Sequence, residues 1–201
     1  MKIYFLLGAM LLALAGQAQQ NPKIVAEGGT LDDRASARVL YWNTQTNFAA
    51  GQVAFDYGRP VWRTEYNDPA KFDAITKGKV WRMGSNYWTI LDTELPLSIG
   101  GKKVPVGLYY LGLHRSADGS KWSLAFIDPN QARKARLDAF QIARAQVEFE
   151  APMSKVETAA ETAEKLTITL SYPKDDIRHV TMRVAWGNLV LSTPIEVTVA
   201  E

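Results

Sequence analysis

The sequence predicts an all-β fold: an antiparallel β-sandwich of about eight to ten strands, with one short surface helix near residues 129–141. Two observations support this prediction. Apolar and polar residues alternate along several short segments, which is typical of strands with one buried and one exposed face. Short turn sequences separate these segments and no long helical pattern alternates with them, so a parallel α/β sheet is not expected.

The first eighteen residues are predicted to be a signal peptide. Lys2 precedes an apolar stretch, and small residues from Ala15 to Ala18 suit cleavage after Ala18. The apolar stretch is shorter than the ~20 residues that span a bilayer. We therefore expect no integral membrane segment in the mature chain, although an uncleaved anchor is the alternative. The mature protein is expected to be exported to the periplasm or the medium.

The rest of the chain is predicted to be a flexible lead-in, residues 19–35, followed by a single β-sandwich domain, residues 36–201. Two-residue hairpin loops are expected at Gly100-Gly101 and Gly187-Asn188, since both favour positive φ. The alternating strands lie at 53–57, 122–126, 166–172, 180–186 and 195–199. The side chains expected in the core are Trp122, Phe126, Ile168, Leu170, Val184 and Trp186.

The surface helix is predicted from its first residues. Asp128 can cap the helix, Pro129 suits the first turn, and Gln131 to Gln141 contains good helix formers. The apolar face of this segment is thin, which favours a short helix on the sandwich surface. Ser154 to Glu164 is predicted to be a loop or one more helical turn.

The composition excludes several classes of protein. The 201 residues carry a formal net charge of +2, with no Cys and only two His. A nearly neutral chain has no strong field for nucleic acid, so no nucleic-acid partner is expected. Without cysteine there are no disulfides and no structural zinc site. Motifs for nucleotide, calcium or serine-nucleophile chemistry are also absent from the sequence, and we expect neither metal nor cofactor.

Two arginine-containing turns are the best candidates for a functional site. In one, Pro60 extends the backbone at Arg59, which follows Tyr57. In the other, glycines bracket Trp81 and Arg82, and Asn86 precedes a strand. Arginine forks bind carboxylates, and aromatic rings stack on sugars or guanidinium planes. If the turns meet, Arg59, Arg82 and Asn86 would hold a small anionic or sugar-like ligand between Tyr57 and Trp81.

Alternatives remain open at the level of sequence, both for the two arginines and for the function of the protein. The two arginines could instead form an internal brace to Asp56, Glu65 or backbone carbonyls. The protein could be a non-catalytic binding or accessory module, or a hydrolase in which Asp56 or Glu65 acts as base with His114, although no motif supplies a nucleophile. A purely structural domain is the third possibility. The sequence does not indicate an oligomeric state.

The same turns resemble the bacterial family called domain of unknown function 2911. Three ordered motifs match it: Tyr57 to Pro60, Gly78 to Thr89 and Ile99 to Tyr109, followed by a tryptophan at Trp122. The likeness covers about Ala37 to Val199. It implies a secreted or periplasmic β-rich domain with no assigned activity.

This chain departs from the family pattern at two places. Tyr87 and Trp88 stand where the family usually has a small or acidic residue and an alanine, which predicts a narrower or more aromatic pocket. The segment Val61 to Thr76 also lacks the usual Gly-Arg continuation after the proline.

Overall fold

The structure, a computed structural model, describes residues 33–156 and 162–199. The predicted signal peptide, most of the lead-in and part of the 154–164 connection lie outside the described residues. The first strand begins at Arg34, just inside the predicted lead-in. None of the helices in the described ranges is long and apolar enough to cross a membrane.

The described residues form an all-β antiparallel fold, as predicted, with twelve strands. The count exceeds the expected eight to ten because three strands are only three or four residues long. In chain order the strands are β1 (Arg34–Asn43), β2 (Phe48–Gly58), β3 (Lys79–Arg82), β4 (Thr89–Thr93), β5 (Leu97–Ile99), β6 (Lys102–Val104), β7 (Gly107–Arg115), β8 (Trp122–Ile127), β9 (Phe149–Lys155), β10 (Ala163–Ser171), β11 (His179–Gly187) and β12 (Leu189–Val197).

The strands form two layers joined along one side. One layer has the order β1-β2-β4-β7-β8-β9, and the other contains β10-β11-β12-β5-β6. β9 connects them by pairing Lys155 with Leu191 and Ser154 with Ser192 of β12. The buried faces of both layers share one large apolar core. Of the six predicted core residues five are buried, and Leu170 packs partly buried against them.

The predicted hairpin loops are confirmed. β5 and β6 flank Gly100 and Gly101, whose φ angles of 56° and 82° lie in the region that glycine tolerates best. β11 and β12 pair up to Trp186 and Leu189, with Gly187 at φ 54° in the loop between them. Each turn thereby fixes the pairing register of its two strands, and with it which side chains face the core.

The surface helix is confirmed but is shorter than predicted. Helix α2 spans Pro129–Lys134, and Asp128 accepts a hydrogen bond from the Asn130 amide. It ends because Arg136 adopts a left-handed φ of 54°, and the amides of Arg136 and Leu137 bond back to the carbonyls of Arg133 and Ala132. A separate 3₁₀ helix, Ala139–Arg144, follows.

A second helical segment was not predicted. A 3₁₀ helix at Thr64–Asn67 leads into helix α1, Pro69–Thr76, whose first amides bond to the Asp68 carboxylate. The Asp-Pro pair that starts α1 is the same start signal that marks α2. This segment brings several aromatic side chains to one end of the sandwich.

Strands β3 and β4 lie end to end along the same side of β7. β4 pairs with the first half of β7 and β3 with the second half. β2 pairs with β4 but not with β3, so within the described residues β3 has no strand neighbour on that side. After Gly58 the chain instead bonds to β10, through the amides of Leu166 and Trp62. A gap is left beside β3.

Candidate functional site

The two arginine-containing turns meet directly through their backbones. A Cβ atom on Gly58 would overlap the carbonyl oxygen of Ser85, and one on Gly84 would lie 3.2 Å from the carbonyl oxygen of Gly58. Real Cβ atoms do not approach backbone as closely as one on Gly58 would, and the approach at Gly84 is tighter than most, so glycine at these positions allows the turns to pack together. The main chains of the two turns therefore lie against each other.

The side chains of the first turn point to β10 instead of to an open pocket. Tyr57 is buried, and its hydroxyl accepts a hydrogen bond from the Ile168 amide at 2.9 Å. Arg59 donates from Nε to the Leu166 carbonyl and from Nη2 to the Thr167 hydroxyl, both at 3.4 Å. Tyr57 and Arg59 thus connect the two layers, which is the brace interpretation for Arg59.

Trp81 belongs to a group of six rings that we call the aromatic wall. Its ring centroid lies 5.7 Å from that of Trp186 and 6.4 Å from that of Trp122. Trp62 packs edge-on against Trp186 at 5.0 Å. Contacts of this kind stabilise beyond their buried area. The wall consists of Trp62, Tyr66, Phe72, Trp81, Trp122 and Trp186.

Arg82 has a different environment from Arg59. Its guanidinium carbon lies 4.1 Å from the ring centroid of Phe140, in the second 3₁₀ helix. Burial lowers the pKa of Arg82, and the carboxylate of Asp138 only partly opposes this effect. Among the described residues, Arg82 Nη1 and Trp81 Nε1 are buried donors with no hydrogen-bond partner. Unpaired buried donors are rare and destabilising.

The gap beside β3 forms a pocket of about 340 Å³, which we call the Arg82 pocket. Tyr66, Trp81 and Trp186 supply aromatic lining, and Arg63 and Arg82 supply positive charge. No carboxylate is among the lining residues that the structure describes. The volume lies at the small end of the range of ligand pockets. Such a site suits a small ligand with negative charge.

Comparison with known proteins adds the family. A family model described as "Protein of unknown function (DUF2911)" matches residues 42–195, which include both turns and the Arg82 pocket. The chain belongs to the DUF2911 family. No curated protein and no solved structure matches it.

In this DUF2911 protein, Asn86 lies outside the lining of the Arg82 pocket. Tyr87 and Trp88, which depart from the family pattern, lie outside it as well. Asn86 is exposed in a turn with φ 66°. Trp88 is buried and stacks on Tyr110 at 4.7 Å, beneath α2, and the Tyr87 hydroxyl lies 3.4 Å from that of Tyr110. Tyr87 and Trp88 therefore support the outer face of the sheet, and they do not narrow the Arg82 pocket.

The side chains considered for a hydrolase are each paired elsewhere. Asp56 forms an ion pair with Arg34, and Glu65 lies 3.5 Å from Arg63. His114 Nδ1 lies 2.8 Å from Glu150. By strand spacing and residue rise, Asp56 and His114 are roughly 16 Å apart on the outer sheet face. The structure does not bring these groups together.

His114 shares its partner with a serine, yet the three groups do not form a nucleophile and base. The Ser123 hydroxyl donates to Glu150 at 2.5 Å and has no described bond to His114. Burial tends to raise the pKa of Glu150, but the hydrogen bonds from His114 and Ser123 outweigh it and lower that pKa below its ordinary value. The carboxylate stays ionised and orients both donors.

Sequence reasoning missed several side chains around the site. Trp62 and Tyr66 line the pockets from a segment that was not assigned any structure, and Arg34 is the partner of Asp56. The Asp68-Pro69 helix start could have revealed the segment, because it marks α1, which carries Phe72 and directly follows the 3₁₀ helix that carries Tyr66. No group of metal-binding side chains occurs in the part of the chain that the structure describes.

Proposed function

We propose that this DUF2911 protein is a non-catalytic binding or accessory module for a small anionic ligand, held in the Arg82 pocket. The single observation that carries the proposal is the state of Arg82. Its guanidinium is partly buried, its pKa is lowered by that burial, and no carboxylate lies within ion-pair distance among the described residues. A buried charge without a partner is unfavourable unless a bound group supplies the partner.

The lining of the pocket supports a planar, carboxylate-like ligand. An arginine fork binds a carboxylate through two parallel hydrogen bonds. Arg63 can add a second contact, since its ion pair with Glu65 at 3.5 Å is exposed and weak. The faces of Tyr66, Trp81 and Trp186 offer the apolar surface that a small organic acid needs beside its charged end.

The protein is proposed to work outside the cytoplasm. The basis is the amino-terminal pattern of residues 1–18, an apolar stretch after Lys2 with a small-residue cleavage site. We expect the mature chain to begin at Gln19, and the intact mass of protein recovered from periplasm or medium measures this. Retention of residues 1–18 in that material would rule out the cleavage.

The anionic ligand is tested by thermal-shift measurements with acetate, succinate and glutamate. A ligand that binds only the folded state at a hundredfold excess over its dissociation constant should raise Tm by about 5 °C or more. The variant Arg82→Gln should lose the shift, and Arg82→Lys should keep only part of it because a lysine cannot form the fork. Arg38→Gln, at an exposed arginine of β1, should behave as wild type.

The Tm of Arg82→Gln without ligand shows whether Arg82 serves a ligand site or braces the fold. If Arg82 serves a ligand, Arg82→Gln should leave Tm nearly unchanged, because the loss of the contact with Phe140 is offset by removal of a partly buried charge that has no carboxylate partner. A large fall in Tm without ligand would instead assign Arg82 to internal bracing. Absence of any shift with all three acids would reject the anionic ligand.

A further inference from the structure

A second pocket shares Tyr66 with the Arg82 pocket but differs from it in chemistry. Its volume is about 320 Å³, and we call it the Asn67 pocket. Trp62, Phe72 and Trp122 supply its aromatic lining. The rings of Phe72 and Trp122 are 6.3 Å apart and inclined by 35°, so they present neighbouring faces at a shallow angle. The electron-rich faces of such rings attract C–H groups.

Two asparagine amides at the rim are fixed in orientation by a tryptophan. Trp62 Nε1 can only donate, and it bonds to Asn67 Oδ1 at 3.0 Å. Asn188 Nδ2 donates to the same oxygen at 3.1 Å. The oxygen of Asn67 therefore faces both donors, which leaves the amide hydrogens of Asn67 and the carbonyl oxygen of Asn188 for another group. The rim offers donors and an acceptor side by side.

Arg115, a mostly buried cation of this pocket, is already paired within the protein. Arg115 Nη1 lies 2.6 Å from Asp73, which also pairs with Lys77 at 2.9 Å. Arg115 donates further to the Gly119 carbonyl and the Thr76 hydroxyl. Lys155 is exposed at the rim and contributes donors only. The arginine is thus occupied by the protein itself, unlike Arg82.

We propose that the Asn67 pocket binds a neutral sugar ring. Hydroxyl groups both donate and accept, and this is the combination that Asn67 and Asn188 present. The C–H face of a pyranose matches the aromatic lining from Trp62, Phe72 and Trp122. A carboxylate would leave the Asn188 oxygen without a donor, and an ammonium group would leave the Asn67 amide hydrogens without an acceptor, so neither uses both asparagines. This site is independent of the anionic ligand proposed for the Arg82 pocket.

The experiment uses the mature full-length chain and three methyl glycosides: β-glucoside, β-galactoside and N-acetyl-β-glucosaminide. Saturation-transfer NMR at about 10 mM glycoside detects binding in the millimolar range. We expect saturation transfer to the ring C–H protons of at least one glycoside. Quenching or enhancement of tryptophan fluorescence during titration should then give its dissociation constant.

Matched variants test the assignment of residues. Asn67→Asp keeps the oxygen that Trp62 needs but replaces the free amide donors, and Asn188→Ala removes the acceptor; each should weaken glycoside binding at least about tenfold. Circular dichroism and Tm identify a variant that fails to fold. Asn130→Ala, exposed at the start of α2, should bind as wild type.

The Arg82→Gln variant distinguishes the two sites. It should retain glycoside binding while it loses the shift with organic acids. Absence of saturation transfer for all three glycosides would overturn the sugar site. Wild-type binding by both folded asparagine variants, or loss of glycoside binding in Arg82→Gln, would overturn it as well.

Discussion

Replacing Gly58 by alanine is expected to reduce the free energy of unfolding by at least about 3 kcal/mol. The new Cβ would overlap the carbonyl oxygen of Ser85, which is backbone and cannot rotate away. Relief requires the two turns to separate, and Gly84 is in turn close to the Gly58 carbonyl. The gap beside β3 would widen with them, so ligand binding in the Arg82 pocket should also fall. Urea unfolding measures the loss of stability.

Gly101 provides a control for the steric effect. Unlike Gly58 it carries a positive φ, 82°, but a Cβ there meets no atom within 4 Å. Gly101→Ala should therefore cost only about 1 kcal/mol, from the unfavourable backbone angle. Equal losses for the two variants would show that close packing of the turns contributes little to the stability of the fold.

Replacing Arg115 by methionine is expected to destabilise the protein by about 2 to 3 kcal/mol. The side chain is 15% exposed and its nitrogens bond to Asp73, Thr76 and the Gly119 carbonyl. The guanidinium also lies 5.3 Å from the ring centroid of Trp122. Methionine keeps part of the apolar contact but leaves those acceptors without their donor. Arg38→Met should change stability little, since Arg38 is exposed.

The difference between wild type and Arg115→Met should depend on pH. Hydrogen bonds from Lys77 and Arg115 lower the pKa of Asp73 below its ordinary value of 3.8. A carboxylate with a lowered folded-state pKa contributes stability that is present above the unfolded-state pKa and lost as pH falls through the folded-state value. The difference between the two unfolding free energies should therefore narrow below about pH 4, by the part that Asp73 contributes, and keep its full size at pH 7. If the difference between the two unfolding free energies were the same at all pH values, the ion pair with Asp73 would not account for the loss of stability.

The fold could be predicted where a short sequence pattern is compatible with only one local structure. Alternation from Leu166 to Leu170 fixes which face is buried, although Tyr172, past the end of β10, is exposed; Gly100-Gly101 fixes a hairpin. The end of α2 was not predictable from propensity, because Arg136 occupies the left-handed position that glycine usually fills. Helix α1 was overlooked although its Asp-Pro start is readable.

The site could be located from sequence only in part. The contact between the two turns follows from their glycines, but the direction of each side chain depends on which strand lies opposite. Tyr57 and Arg59 point to β10, over a hundred positions away in the chain, and no local pattern specifies that pairing. The Asn67 pocket is assembled from four separate segments for the same reason.

The end-to-end arrangement of β3 and β4 has an evolutionary consequence. β3 and β4 pair with different parts of β7, so residues 83–88 between them form no strand pairing. Asn86 and Tyr87 are exposed there. Insertions or deletions at this point would change the surface next to the Arg82 pocket without shifting the register of any strand, and loop length itself has a small entropic effect. Proteins with this fold can therefore vary the surface at this point while the sandwich stays the same.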